Sequence, residues 1–268
     1  MMAYADTTYL KSSFTALDQS GVDALLVHSL RDAGHYVTGR LAEKFDLPIS
    51  IRANGALAFT GNPVDGNLLV LGDKTYRFKD TPDQANDISI AASALLSVRN
   101  LARAINQRGT GWYTGTEINV DFEAAYPVSD ATILLRARKS GTWGNYLTMD
   151  ASASPVTVTE MSGGSGDYSV LERINGWLAV GMVFRGAASS DMGSAAGSID
   201  LVKDATAQAE EWITHLINGE MSLVDDEGAT LAPSTAYLPV SSTTDQVPFA
   251  DMGDPIYWDY DSSGLWER

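Results

Sequence analysis

The side chains that could do acid–base or metal chemistry are few in this sequence. The chain of 268 residues has three histidines and no cysteine, which excludes a thiolate nucleophile and a cysteine-based metal site. His28 and His35 lie seven residues apart on a predicted helix, near the same helix face. A zinc site needs further ligands at short spacing, and no carboxylate with the spacing of the HExxH pattern joins these histidines. We expect no metal site.

Carboxylates cluster in two places. Asp225-Asp226-Glu227 forms one group, and Asp251, Asp254, Asp259 and Asp261 form another. Both could hold Ca²⁺ loosely, but they lack the spacing of an EF-hand loop, with its glycine and terminal glutamate. We favour the interpretation that they are solvated or face a partner.

Two further motifs could carry chemistry, a phosphate loop and an activated serine. The glycine-rich segment 163–166 lacks the Lys-Ser/Thr pair of a P-loop and the glycine order of a dinucleotide fingerprint, so we interpret it as a flexible linker. The sequence shows no G-x-S-x-G nucleophile elbow and no outstanding Ser-x-x-Lys motif. We therefore expect a protein that is not an enzyme and holds no cofactor.

Charge and hydropathy limit the partners. Acidic side chains outnumber basic ones by 34 to 18, a formal net charge of −16. Because nucleic-acid affinity comes mainly from Lys and Arg neutralising phosphates, such a chain should be repelled by DNA unless one face is locally basic. Simple solubility, or a surface past which DNA slides, would both explain the charge.

No apolar run approaches the about 20 residues of a membrane helix, and the first residues do not resemble a signal peptide. We expect no membrane partner. The chain should be made in the cytoplasm and used there, or be carried inside a particle assembled there.

Helical spacing marks both flanks of the chain. A short helix is predicted between Tyr4 and Leu17, and an apolar stripe from Val22 to Phe45 predicts a longer one that stops before Pro48. Helices are predicted again over residues 170–183 and 199–217. The candidate core positions on these helices are Leu26, Leu30, Val37, Leu41, Leu178 and Trp212.

The middle of the chain predicts strands and one helix. Gly72-Asp73 predicts a hairpin turn between two short strands, and residues 94–105 predict an amphipathic helix. Alternating Thr-rich segments between Gly and Pro residues predict further strands; they are 117–124, 131–138, 146–150 and 155–160. The predicted fold class is α+β.

Three aromatic residues of this middle part, Trp112, Tyr113 and Trp143, lie beside glycines in predicted loops. An exposed platform for stacking a sugar could form there. Core packing is the commoner fate of tryptophan, and we favour it.

After residue 224 the periodicity disappears, and the chain becomes polar, acidic and aromatic at once. Disordered tails are poor in aromatics, whereas Tyr and Trp are enriched in interfaces. We interpret residues 225–268 as an extended docking tail; an intramolecular lid over the subunit's own core is the alternative. The candidate docking residues are Phe249, Asp254, Pro255, Tyr257, Trp258, Tyr260 and Trp266.

The predicted helices resemble those of the head–tail connector proteins of tailed bacteriophages, of the adaptor type. Residues 4–10 are similar to their Tyr-Ala-x-x-x-x-Leu opening. Residues 30–48 are similar to the pattern L-x-D-A-x-x-x-I-D-x-Y-L-x-x-R-Y-x-L-P, with Val37 in place of its Ile and Phe45 in place of its second Tyr.

Two later segments extend the resemblance. Residues 212–223 match a pattern W-L-x-x-I-x-x-G-x-x-x-L, and residues 254–258 are similar to the tail of such connectors. On this basis residues 1–56 and 166–224 would form a small, adaptor-like α-helical bundle. Residues 57–165 would be an inserted α+β domain, which itself resembles a module of other phage virion proteins.

The resemblance implies a structural protein of the virion, located at the head–tail interface. It would form a ring, expected to be dodecameric, between the portal protein and a tail-side connector or stopper protein. Genomic DNA would pass through the channel without specific binding. The alternative is a phage decoration, fibre or receptor-binding protein whose inserted domain binds host glycan or capsid.

Overall fold

The computed structural model describes residues 3–14, 17–18, 22–127, 129–151, 155–187 and 196–234. These residues form five α-helices and two four-stranded sheets. The prediction of an α+β class is therefore confirmed.

The elements follow the chain in this order. The helices are α1 (Thr7–Ser13), α2 (Asp23–Leu41), α3 (Ala94–Ile105), α4 (Ser169–Ala187) and α5 (Ala196–Asn218). The strands are β1 (Asn54–Phe59), β2 (Leu68–Leu71), β3 (Lys74–Lys79), β4 (Asp87–Ser89), β5 (Phe122–Ala124), β6 (Thr132–Ala137), β7 (Met149–Asp150) and β8 (Val156–Ser162), with a 3₁₀ helix at Thr142–Tyr146.

Helices α1, α2, α4 and α5 share one hydrophobic core, which we call the helical cluster. Its buried residues come from the segments 3–49 and 171–223. Apolar side chains at steps of three or four give each long helix a face that leaves water when the helices pack. Five predicted core positions are buried there, namely Leu26, Leu30, Val37, Leu41 and Leu178. Trp212 is partly buried against the cluster and stacks obliquely on Trp177, with 5.1 Å between ring centroids.

The polar side chain of Asn175 on α4 lies fully buried inside this cluster. Its Oδ1 accepts hydrogen bonds from the backbone N–H groups of Tyr4 and Ala5, both at 2.9 Å. Its Nδ2 donates to the carbonyl oxygen of Leu30 at 3.0 Å. Asn175 therefore ties the start of the chain and helix α2 to helix α4.

The strands and α3 form a second core, the sheet cluster, from residues 53–161. The first sheet has the order β5-β6-β1-β8 and is antiparallel throughout. The second sheet has the order β4-β3-β2-β7, with β3 and β4 parallel. The largest fully buried side chains of the cluster are Tyr76, Phe78 and Phe122, and Asp87 binds Arg77 through both carboxylate oxygens at 2.9 Å.

The entry and the exit of the sheet cluster lie side by side. Ile51 and Ser165 exchange two backbone hydrogen bonds, at 2.8 and 3.1 Å. Next to them, the side chain of Asn145 binds both the N–H and the carbonyl of Gly164. Hydrogen bonds at Gly164 and Ser165 thus tie the segment 163–166, which we interpreted above as a flexible linker, to the rest of the protein.

Some predicted boundaries differ from the structure. The boundary placed between residues 56 and 57 falls inside β1, a central strand of the first sheet. Of the strand predicted over 117–124, only β5 forms. The segment before it contacts side chains instead of a neighbouring strand, since Lys74 Nζ contacts the carbonyls of Glu117 and Ile118. At the start of β5, Asn119 Oδ1 accepts from the N–H of Phe122.

We predict that Asn175→Ala destabilises the protein by about 3 kcal/mol or more, because it leaves the buried N–H groups of Tyr4 and Ala5 without an acceptor and removes the side-chain bond to the carbonyl of Leu30. Chemical denaturation measures the free energy of unfolding. Asn218→Ala, at an exposed position that ends α5, is the control and should stay within about 0.5 kcal/mol of the wild type. Equal effects of the two variants would contradict the structural role given to Asn175.

Candidate functional site

The seven candidate docking residues, Phe249, Asp254, Pro255, Tyr257, Trp258, Tyr260 and Trp266, all lie outside the described residues. The same holds for residues 235–268 of the predicted extended tail. Its first residues, 225–234, are described, and they begin with a turn that Asp225 closes by accepting hydrogen bonds from the N–H groups of Glu227 and Ala229.

The three aromatic residues of the middle part occupy two different places. Trp112 forms a β-bridge with Ile88 and packs partly buried against the sheet cluster. Tyr113 follows it and is partly exposed. Trp143 lies in the 3₁₀ helix, where the ammonium group of Lys139 approaches its ring to 6.0 Å. Trp112 therefore packs against the sheet cluster as a partly buried residue.

A pocket opens where the two clusters meet, and we call it the junction pocket. The helical side of its wall comes from residues 3–7 and 27–31, and the sheet side comes from segments between Arg52 and Trp143. The two sides are also linked directly, since Ala3 forms a β-bridge with Lys139 and its carbonyl accepts from the N–H of Ser140 at 2.8 Å.

The wall of the junction pocket is rich in cationic side chains. Arg31, Arg52, Arg108, Arg138 and Lys139 all line it, together with two carboxylates on Asp6 and Glu123. In a chain with a net charge of −16, this concentration of positive charge is a local reversal of sign.

Some of these cations have carboxylate partners. Arg52 binds Glu123 at 2.8 Å. Lys139 binds Glu172 of α4 at 2.7 Å and Asp6 at 3.5 Å. Asp6 also caps α1, because its side chain accepts from the N–H of Tyr9. These ion pairs fix the position of the N-terminal segment against the sheet cluster.

Arg138 makes a different set of contacts. Its Nε donates to the carbonyl of Asn119 at 2.7 Å, and its Nη2 lies 3.4 Å from the carbonyl of Ile105 and from the side-chain oxygen of Asn106. All three acceptors are neutral. The pKa of Arg138 is lowered to about 10, mainly by burial; the charges of Arg52 and Arg108 act in the same direction, and Glu123 and Tyr76 oppose them.

His28 lies in the same wall, on α2. Burial lowers its pKa below the ordinary value of 6.5, and the positive charges of Arg31, Arg138 and Arg108 lower it further. Burial, the largest cause, and the nearby positive charges therefore both disfavour the imidazolium form.

The other histidines lie elsewhere. His35 lies two turns from His28 on α2 and is exposed. His215 is an exposed residue of α5 that contacts Glu211 and Glu220. Within the described ranges, no three His, Asp or Glu side chains are placed to hold a metal ion together.

Two further observations do not concern a single site. Among the helices that the structure describes, none is both long and apolar enough to cross a membrane. Comparison of the chain with models of protein families, with curated proteins and with solved structures found no match.

The junction pocket was not predicted from the sequence. Its cations are scattered from residue 31 to residue 139, with no common spacing. The only local signal is the Arg-x-Arg-Lys run of residues 136–139 in an acidic chain. The cations of the pocket come together only because the N-terminal segment packs on the sheet cluster.

We predict that Arg31→Gln raises the pKa of His28, because the substitution removes a nearby positive charge that disfavours the imidazolium form. Arg108→Gln should shift it in the same direction. The pKa is measured by NMR titration of the imidazole signals. Arg40→Gln, twelve residues along α2 and so about 18 Å from His28, is the control and should leave the value unchanged. A His28 pKa that none of these variants moves would refute the positive potential.

Proposed function

We propose that this protein is a structural virion protein of a tailed bacteriophage, a head-to-tail adaptor that forms a ring between the portal protein and the tail-side connector or stopper. One observation carries the proposal: the segments 4–10, 30–48 and 212–223, which resemble connector proteins, all contribute to one helical cluster. They do so although the sheet cluster separates the second segment from the third.

Residues at the positions that the connector patterns fix are buried inside the helical cluster. Tyr4 and Leu10, the fixed positions of the opening pattern, are buried, and the hydroxyl of Tyr4 lies 2.9 Å from that of Thr38 on α2. From the third segment, Ile213, Leu216 and Leu223 are fully buried. The pattern residues are therefore packing residues, which supports a common helical core.

Ring formation would require a heterologous interface, in which one face of a subunit binds a different face of the next subunit. Such a chain of subunits closes into a ring when the rotation between neighbours divides a full turn evenly. The aromatic residues of the C-terminal segment are suited to anchor such a ring to the portal. The net charge of −16 suits a channel lumen that DNA crosses without being trapped.

The mass of the full-length protein, alone and mixed with the cognate portal, tests the proposal by native mass spectrometry or light scattering. We expect a portal-bound ring in the mixture, with the C-terminal segment protected from protease. A stable trimer that ignores the portal would contradict the adaptor function and favour the fibre or decoration alternative.

A substitution in the tail tests the docking residues. Trp258→Ala should weaken portal binding by about 2 kcal/mol or more if this side chain is an interface anchor. Tyr146→Ala is a suitable control, because Tyr146 is an aromatic residue with 80% of its surface exposed and belongs to the 3₁₀ helix, outside the tail. Unchanged portal binding and particle assembly with Trp258→Ala would refute docking through the tail.

A further inference from the structure

The junction pocket concentrates positive charge in a protein that is otherwise acidic. Its wall contains five of the chain's 18 Lys and Arg residues but only two of its 34 Asp and Glu residues. Three of the five cations form ion pairs, partly with the carboxylates of Asp32 and Glu172 outside the wall, and the other two form none with the residues that the structure describes. The packing of the two clusters alone does not require these two unpaired cations.

Two of the five cations lack a neutralising partner. The hydrogen bonds of Arg138 all go to neutral oxygens, and the nearby carboxylate of Glu123 is engaged with Arg52 at 2.8 Å. Arg108 makes no ion pair with any described residue. Cations that share a pocket without counter-charges repel each other, so a bound anion would remove a real energetic cost.

The space and its walls restrict the anion. The volume open to the centres of water molecules is about 40 Å³, enough for about three waters. Apolar side chains of Val27, Leu30 and Ile118 form part of the wall beside the cations, and low polarity strengthens charge–charge attraction. A small oxyanion, free or as the phosphate group of a small molecule, fits this volume.

We propose that the junction pocket binds a small oxyanion, either inorganic phosphate or the phosphate group of a small molecule, with Arg108 and Arg138 as its main donors. Guanidinium groups bind phosphate oxygens through parallel N–H groups, which gives strength and orientation. A nucleic-acid backbone is a poor occupant, because the protein around this one recessed pocket carries the opposite net charge. The proposal does not depend on the adaptor function.

Occupancy of the pocket would also have a structural consequence. Residues of the helical cluster, such as Arg31, and residues of the sheet cluster, such as Arg138, would then contact the same ligand. A ligand that binds only the folded state stabilises it by an amount that grows with the logarithm of its concentration over Kd, once that ratio exceeds one. The melting temperature of the full-length protein should therefore rise with added phosphate.

Isothermal titration calorimetry of the full-length protein with inorganic phosphate, at low ionic strength and constant buffer composition, tests the proposal. Arg108→Gln removes an exposed cation and should preserve the fold, which the melting temperature without phosphate checks. We expect it to weaken phosphate binding about tenfold or more. Arg40→Gln, an arginine outside the pocket that pairs with Glu210, is the matched control and should change Kd less than about twofold.

Two further ligands identify the source of the phosphate. Phenyl phosphate that binds more tightly than inorganic phosphate would support a phosphorylated small molecule whose apolar part contacts Trp143; equal affinities would support the free anion.

The absence of phosphate binding at millimolar concentration would overturn the proposal. So would equal losses with Arg40→Gln and Arg108→Gln, or tighter binding of a single-stranded oligonucleotide at the same phosphate concentration.

Discussion

The side-chain amide of Asn175 joins three segments that are distant in the sequence, because it accepts from the N–H groups of Tyr4 and Ala5 and donates to the carbonyl of Leu30. A buried amide is tolerated only where its hydrogen bonds are made, so this residue selects one arrangement of α1, α2 and α4 among the many that apolar faces alone would permit. The position of the N-terminal segment follows from it. That segment in turn presents Ala3 and Asp6 to Lys139 of the sheet cluster.

The same constraint creates the junction pocket. Once Tyr4 and Ala5 are fixed on α4, the N-terminal segment and the first turns of α2 stand opposite Arg52, Arg108 and Arg138. Ion pairs satisfy Arg52 and Lys139, while Arg138 meets only neutral oxygens. The pocket is thus a product of the way in which two separately packed cores meet. An oxyanion bound there would reinforce that contact.

The sequence predicts the local elements better than their meeting points. The periodicity of Leu26, Leu30, Val37 and Leu41 indicates a buried helix face, and the Gly72-Asp73 pair indicates the hairpin of β2 and β3, because both signals are local. Strand β1 was missed, since Asn54-Gly55 is typical of a turn and the pairing of β1 with β6 and β8 is long-range. The pocket could not be predicted for the same reason: its cations share no spacing, and only tertiary packing brings them together.

The central claim is that one helical core is assembled from both flanks of the chain, with the sheet cluster inserted at the paired residues Ile51 and Ser165. The most direct measurement is the circular dichroism and thermal unfolding of a variant in which residues 54–162 are replaced by a short Gly-Ser linker. Because the two ends of the insertion are already hydrogen-bonded, we expect a helical protein that unfolds cooperatively. An unfolded or non-cooperative chain would contradict the claim and show that the two clusters form a single indivisible core.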